Sequence, residues 1–186
     1  GKRETGLRNE FFREVVEQLR HAVPEEASIV IAGPGFTKED FIKYFQETEP
    51  AMASKALIED TSMIGMSGFQ EVLRRGAVDR IMQESRIARE SALMEDLIRE
   101  ISMDGKAAYG LADVKNALNY GAVETLLVAD ETLREGREKG EDIDKLLMEV
   151  EQSQGKVIVF STDFEPGEKL HKLGGIAALL RFKVTG

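Results

Sequence analysis

Apolar positions in the first part of the chain are spaced first as in a helix and then as in strands. From Leu7 to Leu19 they recur every three or four residues among charged ones, which predicts an amphipathic helix that ends before Pro24. Short apolar runs at 28–32 and 56–60 predict two buried strands. Two strands are too few for an independently stable sheet. The unit is therefore either truncated at its N-terminus or completed by strands from elsewhere.

The segments that connect these elements include one forced loop. Residues 33–36 read Gly-Pro-Gly-Phe, and proline and glycine at the end of a strand favour a loop. We expect Thr37 to cap the next helix in a capping-box pattern with Asp40. After the second strand, we expect a glycine-containing loop over 63–68 and then a helix over 69–75.

The second part of the chain alternates between helices and strands. A helix interrupted at Gly76 resumes over 78–101, and a boundary near 79–84 divides the chain into domains 1–80 and 81–186. Strands spaced by helices predict an α/β fold, here an α/β/α sandwich of about 100 residues. The predicted strands cover 107–109, 123–128, 156–160 and 177–184, the predicted helices cover 113–119, 143–150 and 167–173, and a charged loop covers 135–141.

Composition and charge narrow the class of protein. With 42% hydrophobic and 32% charged residues, the chain has a globular composition, and it lacks an apolar run of the ~18–20 residues that a membrane helix needs. We expect no signal peptide and a cytoplasmic location. The sequence contains no cysteine, which excludes disulfides and thiolate metal sites. The net charge of −9 argues against a free-standing nucleic-acid binder.

No catalytic or metal-binding constellation emerges from the sequence. Glu59 and Asp60 are adjacent in a predicted strand, so their side chains point to opposite faces and cannot chelate a metal together. The two histidines, His21 and His171, have no visible acid–base partner and exclude a histidine-rich centre. A small α/β hydrolase remains a rival interpretation, which turnover of a phosphate ester would support.

Three stretches carry a family resemblance. They are 29–41, where IVIAGPGF runs into TKEDF, 109–127, with YGLADV and YGAVETLL, and 167–182, with GEKL and LGGIAALLRF. Together with EDTS at 59–62 and LRRGAVD at 73–79, they resemble archaeal Pelota in order and spacing over nearly the whole chain. Pelota proteins are in turn similar to the class-1 translation termination factors of archaea and eukaryotes.

The resemblance implies an N-terminal Sm-like domain, a central α/β domain, and a C-terminal domain with the fold of kink-turn-binding ribosomal proteins. This chain matches the later part of the central domain and the whole C-terminal domain. The family recognises stalled ribosomes with an empty or blocked A site in no-go mRNA surveillance. It is delivered by a translational GTPase of the elongation-factor class, and a recycling ATPase then helps it to split the ribosomal subunits.

The resemblance also implies a binding function without chemistry of its own. Termination factors need a Gly-Gly-Gln tripeptide, whereas Gly174 and Gly175 are followed here by Ile176, so we expect no peptide release. A metal-dependent endoribonuclease activity attributed to the family would lie in the N-terminal domain. We therefore expect these residues to form no enzyme, to hold no cofactor or metal, and to be monomeric.

Two segments are candidates for GTPase contact. In Pelota, the loop that corresponds to Pro34, Gly35 and Phe36 is thought to contact the GTPase near its nucleotide switches. The alternative is a strand-to-helix turn in which Phe36 packs on the following helix. By family analogy Glu168 contacts the β-barrel domain of the GTPase, and the alternative is an acid favoured by the positive end of a helix dipole.

Basic residues are candidates for RNA contact. Lys2 and Arg3 are one set, and their alternative is a solvated chain terminus. Arg74, Arg75 and Arg80 are the other set, and interspersed acids support a salt-bridged helix surface instead. An autonomous RNA-binding module of the kink-turn type is the second interpretation of the whole chain, although the acidic net charge argues against it.

Overall fold

The computed structural model describes residues 1–185, and the chain forms two compact units, Gly1–Gln83 and Glu84–Gly186. Helices and strands alternate in both units, which confirms the predicted α/β class. Within the described part of the chain, no helix combines the length and apolar character needed to cross a membrane. The elements are α1 (Lys2–Ala22), β1 (Ile29–Gly33), α2 (Thr37–Thr48), α3 (Pro50–Ala53), β2 (Ala56–Asp60), α4 (Gly65–Arg74), α5 (Ala77–Ser102), β3 (Ala107–Tyr109), α6 (Leu111–Asn119), β4 (Val123–Ala129), α7 (Asp130–Glu138), α8 (Ile143–Gln152), β5 (Lys156–Phe160), α9 (Glu165–Lys172) and β6 (Ile176–Leu180).

The first unit is built on two parallel strands, β1 and β2, in which Gly33 lies opposite Asp60. The apolar face of α1 packs on α2, where the ring centroids of Phe12 and Phe41 are 5.3 Å apart in a T-shaped arrangement. The carboxyl ends of both strands lie at the same edge because the strands are parallel. The buried cluster of this unit consists of Phe12, Val16, Phe41, Ile42, Phe45 and Ala53.

The second unit is a four-stranded mixed sheet in the order β3-β6-β4-β5. Successive side chains of β4 enter two different apolar clusters. Leu126 and Val128 belong to one cluster, whereas Leu127 and Ala129 belong to the other. Because alternate residues of a strand point to opposite faces, both faces of the sheet are covered. This confirms the predicted α/β/α sandwich.

Two predicted helix starts are wrong. Thr37 does not cap α2, because Phe36 occupies the N-cap position and no side chain caps this helix. The predicted loop over 63–68 overlaps α4, which begins at Gly65. A Cβ at Gly68 would lie 2.4 Å from the Met63 carbonyl oxygen. This glycine therefore marks close packing inside a helix and not a loop.

Two further predictions in the second unit need correction. Helix α7 occupies much of the predicted loop over 135–141, because its glutamates and arginines favour a helix once Leu133 and Gly136 are buried. The last strand was predicted over 177–184 but ends at Leu180. The pairing with β4 ends there because Leu180 lies opposite Val123, the first residue of β4, and the Arg181 side chain then donates to the Ser153 carbonyl at 3.0 Å.

Candidate partner-binding site

The Gly-Pro-Gly-Phe loop lies at the carboxyl end of β1. The Gly33 carbonyl still accepts a hydrogen bond from the Thr61 amide at 3.3 Å, so the strand pairing extends to its last residue. Pro34, Gly35 and Phe36 are all exposed, and α2 begins at the next residue. The loop therefore connects the last paired residue of β1 directly to the first residue of α2.

The backbone of the loop presents the Phe36 ring to solvent. Gly35 has a φ of +68°, a left-handed conformation that favours glycine. The Phe36 carbonyl accepts hydrogen bonds from the amides of Glu39 at 3.1 Å and Asp40 at 3.2 Å, which fixes its backbone as the first turn of α2. Its ring is nevertheless 83% exposed. The interpretation in which Phe36 packs on the following helix is therefore wrong.

A buried lysine connects this loop to the second strand. The Lys38 side chain is only 4% exposed, and its Nζ forms an ion pair with Asp60 at 2.7 Å. The same Nζ donates a hydrogen bond to the Gly35 carbonyl. Glu39 is a third partner at 3.4 Å. A buried ammonium needs such partners, and here they tie the turn at Gly35 to the end of β2.

The two charges of this pair stabilise each other. The hydrogen bond with Asp60 raises the pKa of Lys38 above its ordinary value, although burial opposes this effect. The hydrogen bond from Lys38 lowers the pKa of Asp60, and the Arg75 charge adds to the effect. Both shifts favour the charged forms, so the contact is fully ionised at neutral pH.

Two of the candidate RNA-binding arginines contact acceptors of the protein itself. Arg75 donates to the Asp60 carbonyl at 2.6 Å and to the Glu71 carboxylate at 3.0 Å. Arg80 donates to the Glu59 carboxylate. These contacts favour the salt-bridged surface as the role of both arginines. They also bring Arg75 to the strand end that Lys38 contacts.

The other candidate residues lie elsewhere. Lys2 and Arg3 are exposed in the first turn of α1, and Arg74 is exposed in the last turn of α4. Within residues 1–185, none of these three side chains forms an ion pair. Glu168 is exposed in the first turn of α9, in the second unit, and its amide donates to the Phe164 carbonyl at 3.0 Å.

Sequence reasoning missed Lys38 and one acidic partner. A lysine in an amphipathic helix is normally placed on the solvent side, and the only signal for Lys38 is its position three residues after Gly35. The statement that His171 has no acidic partner is wrong, because its Nε2 lies 3.7 Å from Glu131 Oε2. Glu131 belongs to α7, which was not predicted. A prediction of that helix would have placed Glu131 and Glu135 on the same helix face, one turn apart.

Comparison with known proteins gives two family models that match this chain. The model of eRF1 domain 2 matches residues 3–84, and the model of eRF1 domain 3 matches residues 87–184. The protein pelota homolog of Methanosarcina barkeri is 96% identical over 186 residues, which are 100% of this chain and 53% of that protein. The chain thus spans about half the length of the curated relatives it matches.

Three solved structures are similar over both units. Archaeoglobus fulgidus Pelota is 49% identical with a TM-score of 0.76, over 95% of this chain and 55% of that one. A model of ribosome-bound archaeal Pelota and ABCE1 is 46% identical with a TM-score of 0.71, over 95% and 50%. Saccharomyces cerevisiae Dom34, described as a translation termination-like factor involved in RNA quality control pathways and interacting with Hbs1, is 26% identical with a TM-score of 0.56, over 94% and 52%.

Proposed function

The chain belongs to the Pelota family of termination-factor relatives, and we propose that it comprises the parts of such a factor that bind partners during the rescue of stalled ribosomes. Residues 1–80 act in this proposal as the central domain and residues 81–186 as the C-terminal domain. The similarity to archaeal Pelota on the ribosome with ABCE1, and to Dom34 that interacts with Hbs1, supports a role built on protein and ribosome contacts.

Phe36 is the contact for a translational GTPase of the elongation-factor class, together with Pro34 and Gly35. The observation that carries this assignment is a large aromatic ring that is 83% exposed on a fixed backbone. An exposed phenylalanine contributes little to folding, whereas its burial by a partner is worth about 1.5–3 kcal/mol. Interfaces concentrate their binding energy in such buried aromatic anchors.

Lys38 holds this loop ready for binding. Its contacts with the Gly35 carbonyl and Asp60 fix the turn before the partner arrives. A loop that is already ordered loses less conformational entropy on association, so the same contacts give a higher affinity. In this proposal the exposed Phe36 ring contacts the GTPase, and the buried Lys38 ammonium positions the loop that carries the ring.

The remaining candidates extend the proposed interface. Exposed Glu168 contacts the GTPase from the C-terminal domain, which afterwards binds the recycling ATPase. Of the five candidate basic residues, Lys2, Arg3 and Arg74 contact ribosomal or transfer RNA in this proposal, whereas Arg75 and Arg80 also donate hydrogen bonds to acceptors of the protein. The factor acts in the cytoplasm at the ribosomal A site, as a monomer, in no-go surveillance.

A binding experiment with the GTPase tests the proposal. The GTPase, loaded with a non-hydrolysable GTP analogue, is captured by the immobilised chain or by Phe36→Ala, after circular dichroism has shown that both are folded. Phe11→Ala is the matched control, because that ring is 60% exposed in α1 of the same unit. We expect capture by the parent and the control only. Failure of the folded parent to capture the GTPase contradicts the proposal, and tight binding of kink-turn RNA would favour the RNA-binding module.

A further inference from the structure

Two carboxylates of α7 and an imidazole of α9 converge in the second unit. Glu131 and Glu135 are one helical turn apart, so their side chains share a face. His171 Nε2 lies 3.7 Å from Glu131 Oε2. One potential ligand atom of each residue lies within 4.8 Å of the other two. Like charges one turn apart on a helix repel each other, so a cation between them removes an unfavourable interaction.

The backbone positions of this cluster are fixed by close packing. The Ala129 amide, just before α7, donates to the Gly175 carbonyl at 2.8 Å, and Gly175 follows α9 by three residues. A Cβ at Gly175 would lie 1.9 Å from Thr132 Oγ1, so α7 lies directly against this turn. Leu133 and Leu170 anchor the two helices in the core. The three side chains are therefore presented by rigid elements and not by loops.

We propose that Glu131, Glu135 and His171 form a binding site for a divalent transition-metal ion, with Zn²⁺ as its representative. Zinc binds imidazole nitrogen and carboxylate oxygen at about 2.0–2.2 Å, which places tetrahedral ligand atoms roughly 3.3–3.6 Å apart. The separation of 3.7 Å between His171 Nε2 and Glu131 Oε2 is close to this value, and the three ligand atoms all lie within 4.8 Å of one another. Two carboxylates and a neutral imidazole also balance the charge of the ion.

The surroundings leave room for water to complete the coordination. A cavity of about 270 Å³ is lined by Glu135 and His171, and also by Glu141 and Lys139. Glu141 adds negative charge near the ion, and Lys139 is the opposing cation. Ca²⁺ and Mg²⁺ prefer six or more oxygen ligands, so an imidazole with two carboxylates selects transition metals instead. This site is independent of the Gly-Pro-Gly-Phe loop, which lies in the other unit.

Calorimetric titration of ZnCl₂ into the metal-free chain tests this proposal. We expect one zinc ion per chain, and at least a tenfold lower affinity in His171→Ala and in Glu135→Gln, because even indirect partners of metal ligands contribute 10–100-fold. His21→Ala is the matched control, since it removes the only other histidine, which is also exposed. We expect this control to bind like the parent, and MgCl₂ in millimolar excess not to displace zinc.

A second measurement needs no substitution. Paramagnetic Ni²⁺ added to the isotope-labelled parent broadens amide signals near the ion, and we expect the loss of signal to be strongest in α7, in residues 168–176 and in the other residues that line the cavity, such as Lys139 and Glu141. The proposal is overturned if zinc binds equally to the parent and His171→Ala, if the folded parent shows no zinc binding at 1 mM, or if broadening centres on His21.

Discussion

Replacing Gly35 with alanine tests whether the conformation of the Gly-Pro-Gly-Phe loop depends on a left-handed backbone at this position. Gly35 has a φ of +68°, and a Cβ added there would meet no heavy atom within 4 Å. The substitution therefore causes no steric collision, and its free-energy cost is that of holding an L-residue in the left-handed conformation, about 1–2 kcal/mol. For a urea m-value of about 2 kcal/mol/M, the unfolding midpoint of the first unit falls by roughly 0.5–1 M.

Gly33→Ala is the matched control for this prediction. Gly33 lies two residues earlier, its φ is not left-handed, and a Cβ there would also meet no heavy atom within 4 Å. We expect this variant to stay within about 0.5 kcal/mol of the parent or to gain stability, because alanine restricts the unfolded chain. Urea unfolding followed by amide signals of β1 and β2 reports the first unit separately. An equal loss in both variants, or none in Gly35→Ala, would refute the reasoning.

Two further predictions concern the ion pair at the loop and the packing of α9. The folded-state pKa of Asp60 is lowered, so its stabilising contribution is present above the ordinary value of about 4 and disappears as the pH falls through the lower folded value. The urea midpoints of the parent and Asp60→Asn should therefore differ by a constant amount from pH 5 to 8 and converge below pH 4, and a difference that persists at the lowest pH contradicts this. In Gly167→Ala the new Cβ would lie 1.9 Å from the Ser161 carbonyl oxygen, so we expect a loss of about 1–3 kcal/mol and a lower melting temperature, whereas the exposed Lys172→Ala should melt like the parent. An unchanged melting temperature of Gly167→Ala would contradict this, because it would mean that the backbone around Ser161 moves away from the new Cβ without loss of stability.

Local patterns were sufficient to locate the strands, although not the end of the last one, because burial leaves a strong signal in the sequence. Four of the six residues over 123–128 are apolar, and β4 is covered on both faces from Leu126 to Ala129. Helix α7 was missed for the opposite reason, since seven of its nine residues, DETLREGRE, are charged or glycine and only one narrow face packs. Tertiary contact at Leu133 and Gly136 decides its conformation, and a local pattern does not contain that contact.

The candidate site was predictable in its motif but not in its support. The Gly-Pro-Gly-Phe loop was evident from residue type alone, whereas its two interpretations differed only in the direction of the Phe36 ring. That direction follows from the Gly35 backbone and from the pairing of Lys38 with Asp60, which are 22 positions apart in the chain. The second cluster likewise brings together Glu131 and His171, which are 40 positions apart in the chain, and no local spacing reveals this contact.

The affinity of the GTPase for Phe36→Ala tests the central claim most directly. Calorimetry with the GTP-analogue-bound GTPase gives the Kd of the parent, of Phe36→Ala and of the control Phe11→Ala. An aromatic anchor that contributes at least 2 kcal/mol corresponds to an increase in Kd of about 30-fold or more. We predict this increase for Phe36→Ala and an unchanged Kd for Phe11→Ala. Equal Kd values for the parent and a folded Phe36→Ala would contradict the assignment of the loop as the contact.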